Sequence, residues 1–365
     1  MQALLDLTAE GPAFGSTPGP TAEALAARKL SFLFGMSTFR GNAAVNADGN
    51  VVFASGGLGC VYSKKFHGMA FHGGHLSGKG TPAPNVTCLA MAPSACFGGA
   101  AATGDAAGGV CLWDACTGSA RGTLPALHGA GGVVALAFSS TERGSLGSFL
   151  VSVGGDASNT LAVWQSPSGD WTDCDPSSGG KALVATACCG GPKQRPLFAA
   201  WSSCSPQPAT EARSSECFDF VTGGFGGAPT FWSLTAGNAS GVSGTFSPGL
   251  APEEVTTCAV GCGAVSGPVA KKGTGKPFPA RVPVTVVGGA SGRVLVFTGT
   301  VCSKACQGSH GSAVTDLKAC RLDVSPKAAN ASGLDGGRVG VVSCGLDGVV
   351  KVRPDGMRSI HKQGP

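Results

Sequence analysis

Short strand-like runs that end in an aromatic residue recur along the chain, and this repeat constrains the fold more than any other feature. The clearest two runs end at Trp113 and Trp164, which are 51 residues apart. The full set of strand ends is Tyr62, Trp113, Trp164, Trp232, Phe297 and a degenerate Val352. The intervals of 51, 51, 68, 65 and 55 residues each suit one four-stranded unit of about 40–50 residues with loop insertions. The spacing therefore predicts six repeated β-sheet units.

A turn rich in glycine, and often containing aspartate, precedes most of these strand ends. Residues 151–156 precede Trp164 in this way, and residues 342–348 precede Val352. A strand, such a turn and a second strand form a β-hairpin. The 60 Gly and 23 Pro lie between short apolar runs, which favours many tight turns over disorder. We therefore expect an all-β fold, a β-propeller with six readable blades, and a seventh if the chain ends complete the ring.

The best-preserved unit resembles a WD40 repeat. It runs from His128 through residues 133–139 to the turn residue Asp156 and the strand end Trp164, and the last unit repeats the pattern. In the WD40 family the His, the turn Asp and the Trp stabilise a blade by mutual hydrogen bonds. The resemblance therefore implies structural roles for His128, Asp156, Trp164, Trp113, Asp105, Trp232, His310 and Asp347.

An alternative interpretation makes His128 and Asp156 a catalytic pair. The same pattern recurs at His310 and Asp347, and an enzyme seldom duplicates a catalytic pair from repeat to repeat. The repetition favours the structural role. No Ser/His/Asp trio stands outside the repeat, and no paired carboxylates stand in an apolar setting.

The opening segment of the repeat region carries a more specific pattern. Residues 32–42 read Phe-Leu-Phe-Gly-Met-Ser-Thr-Phe-Arg-Gly-Asn, and the first strand end is Val61-Tyr62. This resembles the start of the first propeller of the echinoderm microtubule-associated protein-like (EML) family, where an aromatic-Gly-aromatic turn leads to Arg and Asn. Gly41 and Met36 depart from that family's pattern. The alternative is a divergent WD40 blade of no particular family.

The EML resemblance implies a microtubule-associated protein whose partners are tubulin and neighbouring microtubule-associated proteins. Relatives of this type also occur in the axonemes of cilia and flagella. The family usually adds a coiled coil, a basic linker and a second propeller, but this sequence shows no heptad run and has room for one propeller. The resemblance thus implies a cytoplasmic, cytoskeletal location, with the axoneme as one site.

The net charge of +5 permits contact with an acidic surface but includes no dense basic stripe of the kind that nucleic-acid binders carry. The densest basic cluster comprises Lys271, Lys272, Lys276 and Arg281. It is a candidate tubulin contact through long-range attraction, and the alternative is an ordinary solvated loop.

Sixteen scattered cysteines and an acidic start, with Asp6 and Glu10, favour a cytosolic chain with reduced thiols. No cysteine pair has a matching second pair at zinc spacing, so we expect no metal. His67, His72 and His75 form a local cluster that we interpret as part of a polar inter-blade loop. No apolar run approaches the roughly 20 residues of a membrane span.

Residues 273–277, Gly-Thr-Gly-Lys-Pro, lack the spacing of a phosphate-binding loop. We expect no cofactor, no enzymatic activity and no binding to nucleic acid or membrane. The predicted organisation is an extended arm over residues 1–29, a propeller over 30–352 with insertions at 167–215 and 237–280, and a tail over 353–365. The functional hypotheses are a microtubule-associated scaffold and, alternatively, an adaptor subunit of a signalling or ubiquitin-ligase complex.

Overall fold

The expectation of an all-β fold with six propeller blades is confirmed. The computed structural model of the chain describes residues 33, 35–76, 83–92, 99–139, 148–166, 171, 182–190, 194–202, 218–235, 237–264, 281–322 and 338–353. Within these residues, no helix is long and apolar enough to cross a lipid bilayer. The chain divides into two compact units, residues 1–133 with 170–180 and residues 134–169 with 181–365.

The first unit contains two four-stranded blades, and each is an antiparallel meander in chain order. Blade 1 consists of β1 (Ala43–Val45), β2 (Val51–Ser55), β3 (Leu58–Ser63) and β4 (Gly68–His72). Blade 2 consists of β5 (Val86–Met91), β6 (Ala100–Asp105), β7 (Val110–Asp114) and β8 (Ala120–Leu124). A short 3-10 helix, Gly129–Gly131, follows blade 2.

The second unit contains four blades, and the strand that opens it begins at the boundary residue Val133. Blade 3 consists of β9 (Val133–Phe138), β10 (Ser148–Gly154), β11 (Thr160–Ser166) and β12 (Leu183–Cys188). Blade 4 consists of β13 (Arg195–Trp201), β14 (Phe220–Phe225), β15 (Thr230–Thr235) and β16 (Asn238–Ser243). Blade 5 consists of β18 (Val255–Ala264), β19 (Arg281–Gly289), β20 (Val294–Thr298) and β21 (Val301–Ala305), with β17 (Thr245–Phe246) parallel to β21. Blade 6 consists of β22 (Val314–Leu322), β23 (Arg338–Gly345) and β24 (Val350–Arg353).

The first strands of blades 2 and 5 each start with a bulge that directs a threonine toward a valine much further along the chain. The register shifts between Val86 and Cys88 and again between Val255 and Thr257. A bulge aims its extra residue away from the regular ladder. The hydroxyl of Thr87 accordingly donates to the Val133 carbonyl.

Thr256 repeats this contact further along the chain. Its hydroxyl donates to the carbonyl of Val314, the first residue of blade 6. The repeated contact gives blades 5 and 6 a polar link next to their apolar packing.

Apolar packing between successive blades forms the core. In the first unit, Trp113 of blade 2 packs with Val52 and Val61 of blade 1. In the second unit, Val284, Val286, Val294 and Val296 of blade 5 pack with Val314, Leu317 and Val341 of blade 6. Each of these side chains is at most 3% exposed, so each contributes about 1.5–3 kcal/mol of hydrophobic stabilisation.

Two features of the sequence-based organisation change in the structure. The ranges taken as insertions contain blade strands, namely β12 and β13 within 167–215 and β16, β17 and β18 within 237–280. β16 and β18 are rich in small and polar residues, so their pattern resembles loop sequence. The predicted arm, residues 1–29, and tail residues 354–365 lie outside the described residues, whereas Arg353 belongs to β24.

Candidate functional site

The most complete polar cluster lies in blade 2 and joins four side chains, His75, Thr103, Asp105 and Trp113. His75 Nδ1 lies 2.7 Å from Asp105 Oδ2, and His75 Nε2 lies 2.8 Å from Thr103 Oγ1. The indole N–H of Trp113 donates to Thr103 Oγ1 over 3.2 Å. All four residues are buried. The predicted Trp113 and Asp105 therefore meet through two residues that the sequence analysis did not assign to the blade.

Donor and acceptor chemistry fixes the direction of this hydrogen-bond chain. The Trp113 indole can only donate, and an ionised Asp105 carboxylate can only accept. The hydrogens then run from Trp113 to Thr103, from Thr103 to His75 Nε2, and from His75 Nδ1 to Asp105. This arrangement assigns the ring hydrogen of His75 to Nδ1 and uses each hydrogen once.

The pKa of Asp105 lies below its ordinary value of 3.8. Burial alone would raise the pKa, but hydrogen bonds from His75 and from the backbone N–H groups of Gly109 and Ala107 outweigh burial. The ionised carboxylate therefore holds both the histidine and the β6–β7 turn in place.

Blade 6 contains a similar cluster, in which His310 contacts both Ser343 and Asp347. His310 Nε2 lies 2.9 Å from Ser343 Oγ, and His310 Nδ1 lies 3.2 Å from Asp347 Oδ1. The backbone N–H of Gly311 donates to Asp347 and is the main reason that the pKa of this carboxyl lies below 3.8. The predicted pair His310 and Asp347 is thus brought together by this blade.

The strand end of blade 6 is Arg353, so the sequence-based position of Val352 is wrong by one residue. In blade 2, Thr103 pairs with Cys111, and Trp113 follows two residues later. In blade 6, Ser343 pairs with Lys351, which places Arg353 at the equivalent position. Arg353 Nε donates to Ser343 Oγ over 3.3 Å, and its other nitrogens donate to the carbonyls of Gln307 and Gly308. A long cationic side chain thus substitutes for the indole.

Blades 3 and 4 retain the tryptophan and hydroxyl part of the cluster. Trp164 Nε1 donates to Ser152 Oγ over 2.9 Å, and Trp232 Nε1 donates to Thr222 Oγ1 over 2.8 Å. Asp156 accepts from the backbone N–H groups of Ser158 and Thr160 and so shapes its own turn. His128 is 1% exposed and lies in the first unit, whereas Asp156 belongs to the second unit.

Blade 5 replaces the whole cluster. Phe297 takes the tryptophan position and Val287 the hydroxyl position, because Val287 pairs with Leu295 two residues before Phe297. With no indole N–H to satisfy, the blade needs no hydroxyl. Gly289 takes the position of Asp105, and a Cβ there would lie 2.2 Å from Glu253 Oε1. Glu253, which pairs with Arg293 at 3.6 Å, therefore fills this space from another segment.

The three histidines of the local cluster have separate environments. His75 belongs to the blade 2 cluster, and His72 stacks on Trp113 with ring centroids 5.4 Å apart. Burial lowers the pKa of His72 to about 4. His67 is exposed and lies 3.4 Å from the Tyr62 hydroxyl. Across the described part of the chain, no three His, Cys, Asp or Glu side chains form a metal-binding group.

The raised pKa of Cys111 argues against nucleophilic catalysis at the blade 2 cluster. Cys111 Sγ lies 3.6 Å from His75 Nδ1, which together with Asp105 gives the residue types of a cysteine nucleophile site. Burial, with a smaller contribution from Asp105, raises the pKa of Cys111 to about 12. A catalytic cysteine needs a stabilised thiolate, so this arrangement lacks the property that nucleophilic attack requires.

An open cavity of about 470 Å³ lies beside the blade 2 cluster. Its lining includes Leu76, Pro84, Val110 and Leu124, with His75 at one side. The histidine is already engaged by Thr103 and Asp105. The cavity therefore offers mainly an apolar surface for contact.

The predicted tubulin-contacting cluster falls mostly outside the described residues. Lys271, Lys272 and Lys276 are not described, and Arg281 is the first residue of β19. Three hydroxyl residues that the sequence analysis did not assign to a blade role, Thr103, Ser152 and Thr222, share one signal, whereas His75 has no such signal. Each hydroxyl lies on the second strand of its blade, opposite the residue two positions before the tryptophan.

The fold is similar to several solved WD40-type structures, although no protein-family model matches the sequence. The U3-55K structure is 13% identical, with 88% of this chain and 79% of that chain covered and a TM-score of 0.51. The RRP9 WD40 repeats are 14% identical, with coverage of 88% and 78% and a TM-score of 0.50. BBS1N, solved in complex with ARL6DN, is 9% identical, with coverage of 85% and 77% and a TM-score of 0.51. The chain thus has six blades in a propeller arrangement, a fold similar to that of WD40-type structures.

Proposed function

We propose that this chain is a non-enzymatic scaffold that binds microtubules, in the cytoplasmic cytoskeleton and in the axonemes of cilia and flagella. The observation that carries the scaffold role is that the histidine–aspartate pairs of blades 2 and 6 are hydrogen-bonded within their own blades. His75 and Asp105 bind each other and Thr103, and His310 and Asp347 repeat the contact. A repeated internal contact of this kind stabilises blades and engages both members of each pair in hydrogen bonds.

The choice of the microtubule rests on the resemblance of residues 32–62 to the start of an EML propeller. In this chain the segment packs on β2 through Asn42, which is buried. The Asn42 amide donates to the carbonyls of Ser37 and Ala54, and its Oδ1 accepts from the Ala54 N–H over 2.6 Å. Ser37 Oγ accepts from Gly56 N–H over 3.0 Å. These bonds hold the matched Asn42 against β2 and give it a structural role in the opening segment.

The binding contribution of Lys271, Lys272, Lys276 and Arg281 would be electrostatic. Attraction between exposed charges is screened over about 8 Å at physiological salt. Binding that depends on this cluster should therefore weaken as salt is raised. The rest of the propeller surface would supply the part of the microtubule affinity that depends less on salt.

The test is co-sedimentation of the whole chain with taxol-stabilised microtubules at low and moderate salt. We expect the chain in the pellet at low salt and a smaller bound fraction at moderate salt. Replacing Lys271, Lys272 and Lys276 by Glu should reduce the bound fraction at low salt. The matched control is Lys64→Glu with Lys65→Glu, since both lysines are exposed on the β3–β4 turn. Absence from the pellet at both salt concentrations would refute microtubule binding.

The adaptor hypothesis predicts a different result. Affinity purification from cells would return kinase or ubiquitin-ligase subunits without tubulin. That result, together with an empty microtubule pellet, would replace the microtubule proposal and leave the scaffold role standing.

A further inference from the structure

One ring nitrogen of His72 is buried and has no hydrogen-bond partner among the described residues. The residue is 3% exposed, and Nε2 is the atom that lacks a partner. The ring stacks on Trp113 at an interplanar angle of 5°, so its orientation is fixed by packing. Buried polar side-chain atoms almost always have a partner in a native fold, and an exception often marks a bound water or ion. Nε2 of His72 is therefore a candidate ligand atom.

The other ring nitrogen of His72 determines which atom carries the hydrogen. The ring donates a hydrogen bond to the backbone carbonyl of Gly118, and Nδ1 is the donor because Nε2 has no partner. In a neutral imidazole only one nitrogen carries a hydrogen, so Nε2 holds an available lone pair. Metal-binding histidines typically have this arrangement, in which one nitrogen binds the metal and the other donates to a carbonyl or a carboxylate.

The available lone pair of His72 borders the same small space as the thiol of Cys111. Gly74 has no side chain there, and a Cβ on Gly74 would lie 2.3 Å from His72 Nε2 and 3.0 Å from Cys111 Sγ. Nitrogen and sulfur ligands stand about 2.0–2.1 Å and about 2.3 Å from a metal such as zinc, so a small rotation of the thiol brings both atoms to one ion. All of these residues belong to the first unit, so the pairing depends on that unit alone.

The groups around Cys111 limit the site to two protein ligands among the described side chains. His75 Nδ1 lies 3.6 Å from Cys111 Sγ, but both ring nitrogens of His75 are engaged by Asp105 and Thr103. Zinc sites use at least three protein ligands, which these residues do not supply. Soft thiolate ligands favour copper(I). One thiolate also balances the single charge of that ion, so the pair adds no net charge to a buried site.

We propose that His72 Nε2 and Cys111 Sγ bind one copper(I) ion. On binding, the Cys111 thiol releases its proton to solvent and its sulfur bonds to copper, while His72 stays neutral. The copper remains in the +1 state throughout. The cavity beside blade 2 is lined by Gly74 and Cys111 and gives the ion a route to the site. This proposal is independent of microtubule binding.

The first experiment measures copper(I) binding by the whole reduced chain without oxygen. Iodoacetamide first blocks the accessible thiols of the native chain, and the chelator bicinchoninate then competes for copper(I). We expect one tightly bound ion. Cys111→Ser and His72→Phe should each raise its dissociation constant at least about 100-fold, because even the loss of an outer-shell partner costs about 10–100-fold. The matched controls, Cys60→Ser and His67→Phe, change a buried cysteine and an exposed histidine of blade 1 and should bind like the parent.

The second experiment separates direct ligation from a structural role of His72. X-ray absorption of the copper-loaded parent chain should show one nitrogen and one sulfur bound to the ion. His72→Met should retain more affinity than His72→Phe, because a thioether binds copper(I) and a phenyl ring does not. Thermal unfolding without copper shows whether each variant is folded, and if one is not, the absorption spectrum of the parent decides.

Three results would overturn the proposal. A parent chain that binds copper(I) no more tightly than His72→Phe would leave Nε2 with water alone. A loss of affinity in Cys60→Ser as large as that in Cys111→Ser would place the ion elsewhere. A copper spectrum with sulfur ligands only would exclude His72 from the site.

Discussion

Arg353 and Trp113 occupy the same register position in blades 6 and 2, and both donate a hydrogen bond to a hydroxyl of their blade. The distances are 3.3 Å from Arg353 Nε to Ser343 Oγ and 3.2 Å from Trp113 Nε1 to Thr103 Oγ1. The guanidinium has further donors, which it uses on the carbonyls of Gln307 and Gly308. The arginine thus ties the blade 6 strand to the preceding loop in a way that an indole cannot.

Replacing Arg353 by Ala should lower the free energy of unfolding of its unit by about 2–3 kcal/mol. The substitution removes the hydrogen bonds from the guanidinium to Ser343 Oγ and to the carbonyls of Gln307 and Gly308, and a hydrogen bond from a charged group contributes about 1.5–3 kcal/mol. Arg353→Trp should cost less, because the indole can still donate to Ser343. Urea unfolding midpoints of the two variants give the comparison. Equal losses in Ala and Trp would show that the hydroxyl contact contributes nothing.

The His75–Asp105 pair should contribute strongly to the stability of the first unit. His75→Phe removes a hydrogen-bond donor from a buried carboxylate, and a hydrogen bond to a charged group contributes about 1.5–3 kcal/mol. His67→Phe is the control, since His67 is exposed. The measurement is thermal unfolding of the whole chain, with Asp105→Asn and the double variant completing a cycle. Additive effects of the two substitutions would contradict the coupling.

Stability should fall as the pH is lowered from 6.5 to 4 because of His72. Burial holds its pKa at about 4 in the folded chain, against 6.5 when unfolded. In this window the unfolded chain binds a proton that the folded chain does not, so acid favours unfolding. His72→Phe keeps an aromatic ring on Trp113 and should flatten the profile in this window. The pKa values of Asp105 and Asp347 lie below 3.8, so most of their loss of stability occurs at lower pH.

The control for that profile is His67→Phe, which changes an exposed histidine only five residues away. It should leave the slope between pH 4 and 6.5 as in the parent chain. A parent-like slope in His72→Phe as well would assign the acid sensitivity to other groups.

Adjacent cysteines should react very differently with iodoacetamide. Cys188 is exposed at the end of β12, whereas Cys189 is buried, and burial raises the pKa of Cys189 to about 12. The thiolate is the reactive form, so the native chain should be alkylated at Cys188 and not at Cys189. Tandem mass spectrometry separates the two sites. Buried Cys60 is an internal control, since its pKa is also raised to about 12 by burial. Early labelling of Cys189 would contradict the burial of this thiol.

The strand and turn pattern could be predicted from the sequence because it depends on local periodicity. Trp113, Trp164 and Trp232 mark third strands of their blades correctly, and the turn glycines fall between paired strands. His75 could not be assigned, since it precedes β5 by eleven residues, whereas His310 precedes β22 by four. Loop length varies freely at the surface, so sequence distance does not identify the histidine that reaches the cluster.

The one-residue error at Val352 has a different cause. Val350 and Val352 satisfy the apolar pattern of a blade strand, and only the pairing of Lys351 with Ser343 shows that Arg353 holds the tryptophan position. Register depends on the partner strand, which a single stretch of sequence does not contain.

In different blades the carboxylate of the polar cluster occupies a similar place, although it belongs to a residue at a different position in the sequence. In blade 2 it belongs to Asp105, whereas blade 6 has Gly345 at that position, and a Cβ there would lie 2.5 Å from Asp347 Oδ1. Blade 5 fills the space beside Gly289 with Glu253. A repeat profile scored column by column therefore records glycine where the acid is expected, although the negative charge is present. The sequences of such blades can diverge until a profile no longer matches them, while their internal arrangement of charges is retained. A search by the spatial arrangement of charges should therefore detect relatives that residue-by-residue comparison misses.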